Sequence, residues 1–266
     1  MATDYDAIAE DYRRAKAQPW REAIEAFTLM ELAGPPAGLA VADLACGEGY
    51  YTRRLRRAGA ARALGVDRSS AMIELARAEE AARPLGVEYA VGDCTEPIAA
   101  GPFDLVVAAY LLNYARDRAE LAAMCRGVAR LLKPTGRFIA VDTNPDLDLD
   151  RTSAFRGYGF EVEAPRGAEE GAPIHWTFHL ESGPLRVENY HLPAEARLEA
   201  LRDAGFGSVR RHDPRVAPGD GAGPADWGPF RANPPITYLE ASLGPPDGRK
   251  PSALGILGLN PGGDMV

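Results

Sequence analysis

Hydrophobic and polar positions repeat along this chain with two periods, and the places where the period changes outline the architecture. Over Tyr5 to Leu32 the apolar residues Ile8, Tyr12, Ile24, Phe27 and Leu32 predict one or two helices, interrupted near Pro19, whose ring removes a backbone donor. From Leu39 the pattern changes to short apolar runs separated by amphipathic stretches. Val41 to Leu44, Ala63 to Val66, Glu88 to Val91, Leu105 to Ala109 and Arg137 to Val141 predict strands. Tyr51 to Ala58, Ala71 to Ala82 and Arg118 to Leu132 predict the helices between them. Strands alternating with helices predict an α/β fold, a parallel sheet covered on both faces.

The alternation fails after Asp142. Asn144 to Gly171 is polar and rich in Asp, Gly and Pro, which predicts a loop or an irregular cap. Pro173 to Leu180 and Leu185 to His191 then alternate with period two, and Glu181-Ser182-Gly183-Pro184 between them predicts an antiparallel hairpin. A helix over Pro193 to Ala204 stopping at Gly205, a strand from Ser208 to His212 and another over Ile236 to Ala241 would close the sheet. Gly244 to Val266 has repeated Gly and Pro without a period and reads as a flexible tail.

Composition narrows the function classes. With 266 residues, 46% hydrophobic and 26% charged, the chain has material for one generous core and is ordinary for a globular protein. A formal charge of -8 disfavours a nucleic-acid partner. The first ten residues lack a basic segment followed by an apolar run, and no stretch of about 18 apolar residues occurs, so no membrane association and a cytoplasmic location are expected. Cys46, Cys94 and Cys125 are isolated, without zinc-site spacing, so neither disulfides nor metal are expected.

The candidate chemistry gathers at the strand tips. Val41 to Gly49 (VADLACGEG) is an apolar strand running into a glycine turn and a helix, a geometry in which a backbone without Cβ lets a ligand approach closely. Twenty residues beyond Gly47, Asp67 ends the next strand, where a carboxylate can accept from ribose hydroxyls. Glu48 in the turn and Thr52 in place of a third glycine disfavour a pyrophosphate, and therefore a nicotinamide dinucleotide. An acidic turn suits a cationic cofactor with an amino acid end, whose ammonium Asp43 would meet. Asp93, after the third strand, is placed to accept from an adenine amino group. Tyr110, Asn113 and Tyr114 follow the fourth strand, on the edge where open α/β sheets bind ligands. Period-two geometry puts His175 and His179 on one face of the hairpin, which also carries Trp176 and Tyr190; no third ligand suggests a metal. Asn233-Pro234-Pro235 reads as the approach to a strand.

DLACGEGYYT, GVDRSSAMIELAR, VGDC, FDLVVAAYLLNYA and LLKPTGRFIAVD, in this order, resemble the successive motifs of class I S-adenosylmethionine-dependent methyltransferases. The opening YDAIAEDYRRAKAQPWREAIEAFTL and the later NPPITYLEA resemble the toxoflavin-synthase-like branch of bacterial small-molecule methyltransferases. The resemblance implies a Rossmann-like core over residues 39–143 with a helical lid over 1–38, a cap or hairpin insertion over 144–192, completion of the sheet over 193–243 and the tail over 244–266. It implies that Asp43, Ala45 and Gly47 contact the methionine part of S-adenosyl-L-methionine, Asp67 its ribose, and Arg68, Met72, Asp93 and Cys94 its adenine, with Ala109 lining the methionine side and Tyr12 closing from the lid.

The implied reaction is a methyl displacement onto a nitrogen or an electron-rich carbon of a small heteroaromatic substrate, catalysed by alignment and exclusion of water. Tyr51, Tyr110, Tyr114 and His179 are the candidate catalytic groups; Tyr5, Trp20, Tyr110, Asn113, Tyr114, His175, Trp176 and Tyr190 are the candidate substrate contacts. N-methylation of a pyrimidine-fused ring and C-methylation of an indole-type ring both fit. The rival classes are a nicotinamide-dependent oxidoreductase and a non-catalytic S-adenosylmethionine-binding protein. Exposed hairpin edges would also permit a homo-oligomer.

Overall fold

The structure is a computed structural model that describes residues 5–165, 167–218 and 226–244. Helix α1 (Tyr5–Ala15) leads through a turn to a second helical stretch, which Pro19 opens at the position where a missing N–H is harmless. That stretch is wound as a π-helical turn over Arg21–Ala26 before continuing as α2 (Phe27–Ala33). The wide turn directs Trp20, Arg21, Ile24, Glu25 and Ala26 all into the interior. There follow β1 (Ala40–Leu44), α3 (Tyr50–Arg57), β2 (Arg62–Asp67), α4 (Ser70–Ala82), β3 (Glu88–Val91), β4 (Phe103–Ala109), a 3-10 turn (Leu112–Tyr114), α5 (Arg118–Leu131) and β5 (Leu132–Thr143). Side-chain caps fix two of these helices: Ser69 Oγ accepts from the Met72 N–H at 3.1 Å and an Asp117 oxygen accepts from the Glu120 N–H at 2.8 Å.

After β5 the chain makes a 3-10 stretch (Leu149–Tyr158), β6 (Phe160–Glu163), β7 (Pro173–Leu180), β8 (Gly183–Tyr190), α6 (Ala194–Asp203), β9 (Phe206–His212), α7 (Gly228–Ala232) and β10 (Ile236–Leu243). Seven strands form one sheet in the order β3-β2-β1-β4-β5-β10-β9. β1 to β5 are mutually parallel where they pair, and β10 runs antiparallel to both its neighbours. Because the chain moves from β1 out to β3 and returns to β4 on the other side of β1, the ends of β1 and β4 diverge into a crevice.

Alternate residues of the central strands enter separate cores. Val41, Leu105, Val107, Ile139 and Val141 meet Ile24, Leu29 and Leu55 on one face. Ala42, Leu44, Val106, Ala108, Phe138 and Ala140 meet Leu121, Cys125, Val128 and Leu201 on the other. The α/β architecture anticipated from the alternation is the one observed.

Two local expectations change. The stretch read as a loop or irregular cap contains the 3-10 segment and β6, which pairs with β7 (Phe160 opposite Phe178, Val162 opposite Trp176), so the hairpin is part of a three-stranded antiparallel sheet, β6-β7-β8. Its turn is also tighter, since Leu180 pairs with Gly183 and leaves Glu181 and Ser182 between. β6 covers one edge of β7 on which the expectation of pairing between subunits rested. Of the expected tail, residues 245–266 lie outside the described residues.

Candidate active site

The turn after β1 is held by three successive departures from ordinary backbone geometry: Ala45, Gly47 and Gly49 have φ of 56°, 55° and 86°. Gly49 has no room for a side chain, because an added Cβ would lie 2.2 Å from the Tyr89 hydroxyl. Ala45 takes the same left-handed region with a Cβ, at a cost of about 1–2 kcal/mol. The turn is tied to β2 by Asp67, whose Oδ2 accepts from the Gly47 N–H at 2.8 Å and whose Oδ1 accepts from the Ser69 N–H at 2.9 Å. Burial raises the Asp67 carboxyl above its ordinary pKa against the pull of those two donors.

Asp43 is fully enclosed beneath this turn. Its Oδ2 accepts from the Thr52 hydroxyl at 2.6 Å, and its Oδ1 finds no hydrogen-bond partner among the described residues. Burial pushes its carboxyl from 3.8 to about 7, opposed by Thr52 and by the nearby Lys16 ammonium. Lys16, just past α1, bonds Glu48 Oε2 at 3.0 Å, and its Nζ lies 3.1 Å from where a Gly47 Cβ would stand. Burial disfavours the Lys16 charge, but Glu48 more than offsets this and holds the ammonium protonated. A cation-lined glycine turn with one carboxylate oxygen below it unpartnered among the described residues fits a zwitterionic amino acid end, whose carboxylate Lys16 would face and whose ammonium Asp43 would meet.

A second buried cluster lies at the tip of β4. Glu25 Oε2 accepts from Arg21 Nη1 at 2.6 Å and from the Tyr110 hydroxyl, while Oε1 accepts from the Tyr51 hydroxyl at 2.8 Å. Tyr110 holds φ of 63°, a true outlier for a bulky side chain, secured by its N–H to the Val141 carbonyl at 2.8 Å. Ala45 and Tyr110, the described non-glycine residues with positive φ, thus follow β1 and β4, the two strands that flank the crevice. The Arg21 guanidinium stacks 4.6 Å from the Trp20 ring, 5.2 Å from Phe178 and 5.3 Å from Tyr110. Burial opposes its charge, and Glu25 more than restores it.

Beside this cluster Tyr12, Arg21, Tyr110, Tyr114, Trp176, Phe178, Val187 and Asn189 line a recess of about 10 Å³, room for about one water molecule, so α1, the β4 tip and the inner face of the three-stranded sheet each supply a wall. The walls are stitched together. Gln18 Nε2 donates to the Gly159 carbonyl at 2.6 Å, Ser182 Oγ donates to Asp11 Oδ1 at 3.1 Å, and the Tyr5 and Tyr114 hydroxyls are in contact. Asp6 in α1 accepts from Ser69 Oγ at 2.5 Å and from the Ala71 N–H at 3.0 Å, which holds α1 against the start of α4. Three donors on side chains that line the recess, Arg21 Nε, Trp176 Nε1 and Asn189 Nδ2, are buried without a partner among the described residues. Each such group costs about 1–3 kcal/mol.

The other sequence-nominated residues fall into three groups. Met72 is buried with its sulfur 3.9 Å from the Gly47 position, Asp93 accepts from Thr95 N–H and hydroxyl at 2.8 Å each, and Cys94 is enclosed with its thiol pushed up to about 12 by burial. Arg68 stands exposed beyond β2, and Ala109 is half-buried at the end of β4. Tyr5 stacks edge-on against Tyr12 at 5.1 Å and Tyr114 at 5.7 Å. Asn113 is buried with both side-chain polar atoms unpartnered among the described residues, and its N–H reaches Asp142 Oδ1 at 3.3 Å.

The third group is turned away from the recess. Trp20 belongs to the aromatic core, 5.0 Å from Phe160 and 5.8 Å from Phe230, with Nε1 on Gln18 Oε1 at 2.8 Å. His175 and His179 do share a face, but it is the one opposite Trp176 and Phe178. There His175 faces Glu188 at 3.3 Å, His179 faces Glu161 at 3.5 Å and the Tyr190 hydroxyl donates to Glu188 at 2.8 Å. Asn233 is structural: its amide donates to the Asp148 carbonyl at 2.8 Å. The sequence reading did not single out Lys16, Arg21 or Glu25. Its available signal was an Arg and a Glu four apart on the same helical face as Trp20 and Ile24.

A family profile described as a methyltransferase domain matches residues 41–136. Nocamycin O-methyltransferase of Saccharothrix syringae is 31% identical over 214 residues, covering 79% of this chain and 71% of that one. The chain belongs to the class I S-adenosylmethionine-dependent methyltransferases. N-demethylindolmycin N-methyltransferase of Streptomyces griseus is 25% identical over 216 residues, 79% of this methyltransferase and 90% of that one. The fold matches that of the CcbJ methyltransferase from Streptomyces caelestis with a TM-score of 0.63 at 18% identity, covering 91% of this chain and 97% of that one. S-adenosyl-L-methionine is therefore the cofactor of this methyltransferase, and the nicotinamide alternative is set aside.

Proposed function

We propose that this methyltransferase alkylates a ring nitrogen, or an electron-rich ring carbon, of a small heteroaromatic compound in natural-product biosynthesis. The observation that carries the reading is the set of rings around the recess: five aromatic side chains (Tyr12, Tyr110, Tyr114, Trp176 and Phe178) converge there, and α1 moving off the three-stranded sheet would open the one-water space between them to a flat ring. The names of two relatives, acting on demethylindolmycin and nocamycin, support a small natural-product substrate, and the opening and NPPITYLEA segments support the toxoflavin-synthase-like branch.

When bound, the cofactor supplies an electrophilic methyl group on a sulfonium. In this proposal Asp43, Ala45, Gly47 and Lys16 orient its amino acid end, Asp67 its ribose, and Met72, Asp93 and Cys94 its adenine, with Arg68 and Ala109 at the margins and Tyr12 as the lid contact. Tyr110 and Tyr114 align the acceptor, and Tyr5 and Trp176 complete its cover. Burial raises the pKa of Tyr12, Tyr51, Tyr110 and Tyr114, so all four phenols stay protonated at neutral pH; Tyr12, Tyr110 and Tyr114 act as walls and Tyr51 as a donor to Glu25, none as a base. His179 on the outer face of the cap does not reach the recess. The chain's contribution is therefore alignment and a dry site, for which a displacement at methyl has no need of a nucleophilic side chain. The test is mass spectrometry of candidate heteroaromatics incubated with the enzyme and a deuterated-methyl donor. A ring product heavier by one labelled methyl group is expected; labelling confined to aliphatic compounds would overturn the proposal.

A further inference from the structure

The chemistry of the recess walls goes further than their shape, on the premise just proposed that the recess receives the methyl acceptor. Among its lining residues Arg21 is the one with a formal charge, and it is matched by Glu25 beneath. Glu25 is already engaged by three donors, Arg21, Tyr51 and Tyr110, so it offers little to a ligand. What remains on the side chains lining the recess is donor capacity: Arg21 Nε, Trp176 Nε1 and Asn189 Nδ2 are each enclosed and each unpartnered among the described residues. Buried donors of this kind are retained where a ligand supplies the acceptors.

We propose that the methyl acceptor carries an anionic oxygen group on its ring, a carboxylate or an ionised 1,3-dicarbonyl, which docks on Arg21 and Trp176 while the ring lies among Tyr12, Tyr110 and Phe178. Arg21 and Trp176 are thereby specificity-determining residues. A planar guanidinium held by three aromatic faces suits such an oxygen pair better than a mobile ammonium would. The cofactor's own carboxylate has a separate cation, Lys16, at the glycine turn.

The experiment is calorimetry on the full chain saturated with S-adenosylhomocysteine, using acid and neutral pairs of matched shape: indole-2-carboxylate with indole-2-carboxamide, and orotate with 6-methyluracil. The acid of at least one pair is expected to bind about tenfold or more tightly than its neutral partner. Trp176→Phe keeps the ring stack and removes one donor; Arg21→Lys keeps the charge beside Glu25 and removes the planar Nε. Each is expected to reduce the acid preference about three- to tenfold while leaving S-adenosylhomocysteine affinity within twofold. Should Arg21→Lys fail to fold, Trp176→Phe alone decides. Neutral partners binding as tightly as the acids overturn this inference and leave the aromatic recess reading standing. A loss of S-adenosylhomocysteine affinity in Arg21→Lys with the acid preference intact also overturns it, since Arg21 would then serve the cofactor. If no member of either pair binds to the loaded enzyme at millimolar concentration, the heteroaromatic reading falls with it.

Discussion

Replacing Asp43 with Asn should make the cofactor-free enzyme more stable and the enzyme much worse at holding its cofactor. The Asp43 carboxyl lies below the glycine turn with one oxygen unpartnered, and burial, the largest influence, lifts it from 3.8 to about 7. A raised carboxyl pKa means that between these values the unfolded chain has lost a proton the folded chain retains. Stability from this group is therefore fully present below pH 3.8 and is lost as pH rises through about 7. The rise corresponds to roughly 4 kcal/mol of strain at pH 8. Asn removes that strain but weakens the bond from the Thr52 hydroxyl, for a loss of about 1 kcal/mol, leaving a gain of about 3 kcal/mol. At about 2–4 °C per kcal/mol, Asp43→Asn should melt about 6–12 °C above the wild type at pH 8, with the gap closing as pH falls toward 4.

Binding should show the opposite sign. An ammonium meets Asp43 only when the carboxyl is ionised, so wild-type affinity for S-adenosylhomocysteine should fall with decreasing pH below about 7, with proton release on binding. In Asp43→Asn that pH dependence disappears and affinity is lower by about 2–4 kcal/mol, roughly 30- to 1,000-fold. Scanning fluorimetry at pH 5 and 8 and calorimetry in buffers of differing ionisation enthalpy measure both halves. A variant that melts below wild type at pH 8, or binds S-adenosylhomocysteine within threefold of it, refutes the reasoning.

The remaining predictions concern the groups around that turn and the Glu25 cluster. Lys16→Met should weaken S-adenosylhomocysteine binding by about 10- to 100-fold in calorimetry, through loss of the carboxylate's cation; unchanged or tighter binding would remove Lys16 from the site. Glu25→Gln leaves the Arg21 charge buried without its counterion and should cost about 3–5 kcal/mol in urea unfolding, well beyond the 0–1 kcal/mol typical of an exposed pair. Gly49→Ala forces a Cβ into the Tyr89 hydroxyl at a φ of 86° and should lower stability by about 1–3 kcal/mol; a melt unchanged within 1 °C would show that the turn accommodates it.

The parallel core was readable because its strands are buried on both faces and therefore appear as uninterrupted apolar runs, as in Leu105 to Ala109. The turn after β1 was readable because glycine and acid recur there at a spacing set by one loop and one crossover. β6 was not, since Phe160 to Glu163 is four residues in a polar stretch and becomes a strand only by pairing with β7. The faces of the hairpin were legible and their direction was not. His175 and His179 share a side, but which side turns inward depends on what the sheet packs against, and Trp176 and Phe178 take that position. Arg21 and Glu25 escaped for a related reason: four apart on a helix they look like a solvated ion pair, and only the π turn and the cap above them enclose both.

The crevice combines two regions with different demands, and the backbone strain is located where they meet. In the proposed reading the glycine turn brings a carboxylate under the cofactor's ammonium, and there Asp43 sits with one oxygen bonded to Thr52 and the other without a partner among the described residues. In the proposed reading the β4 tip presents a ring to the acceptor, and there Tyr110 holds φ of 63° with its hydroxyl tied down to Glu25. Neither arrangement minimises the energy of the empty protein: a strained Ala45, a strained Tyr110, and one Asp43 oxygen and three wall donors without partners among the described residues lie around the same crevice. Ligands that supply an ammonium below and oxygen acceptors above would relieve these groups. The free energy of binding then includes the release of costs already present in the fold, so a variant that relieves one of them covalently, as Asp43→Asn does, stabilises the protein by diminishing its grip.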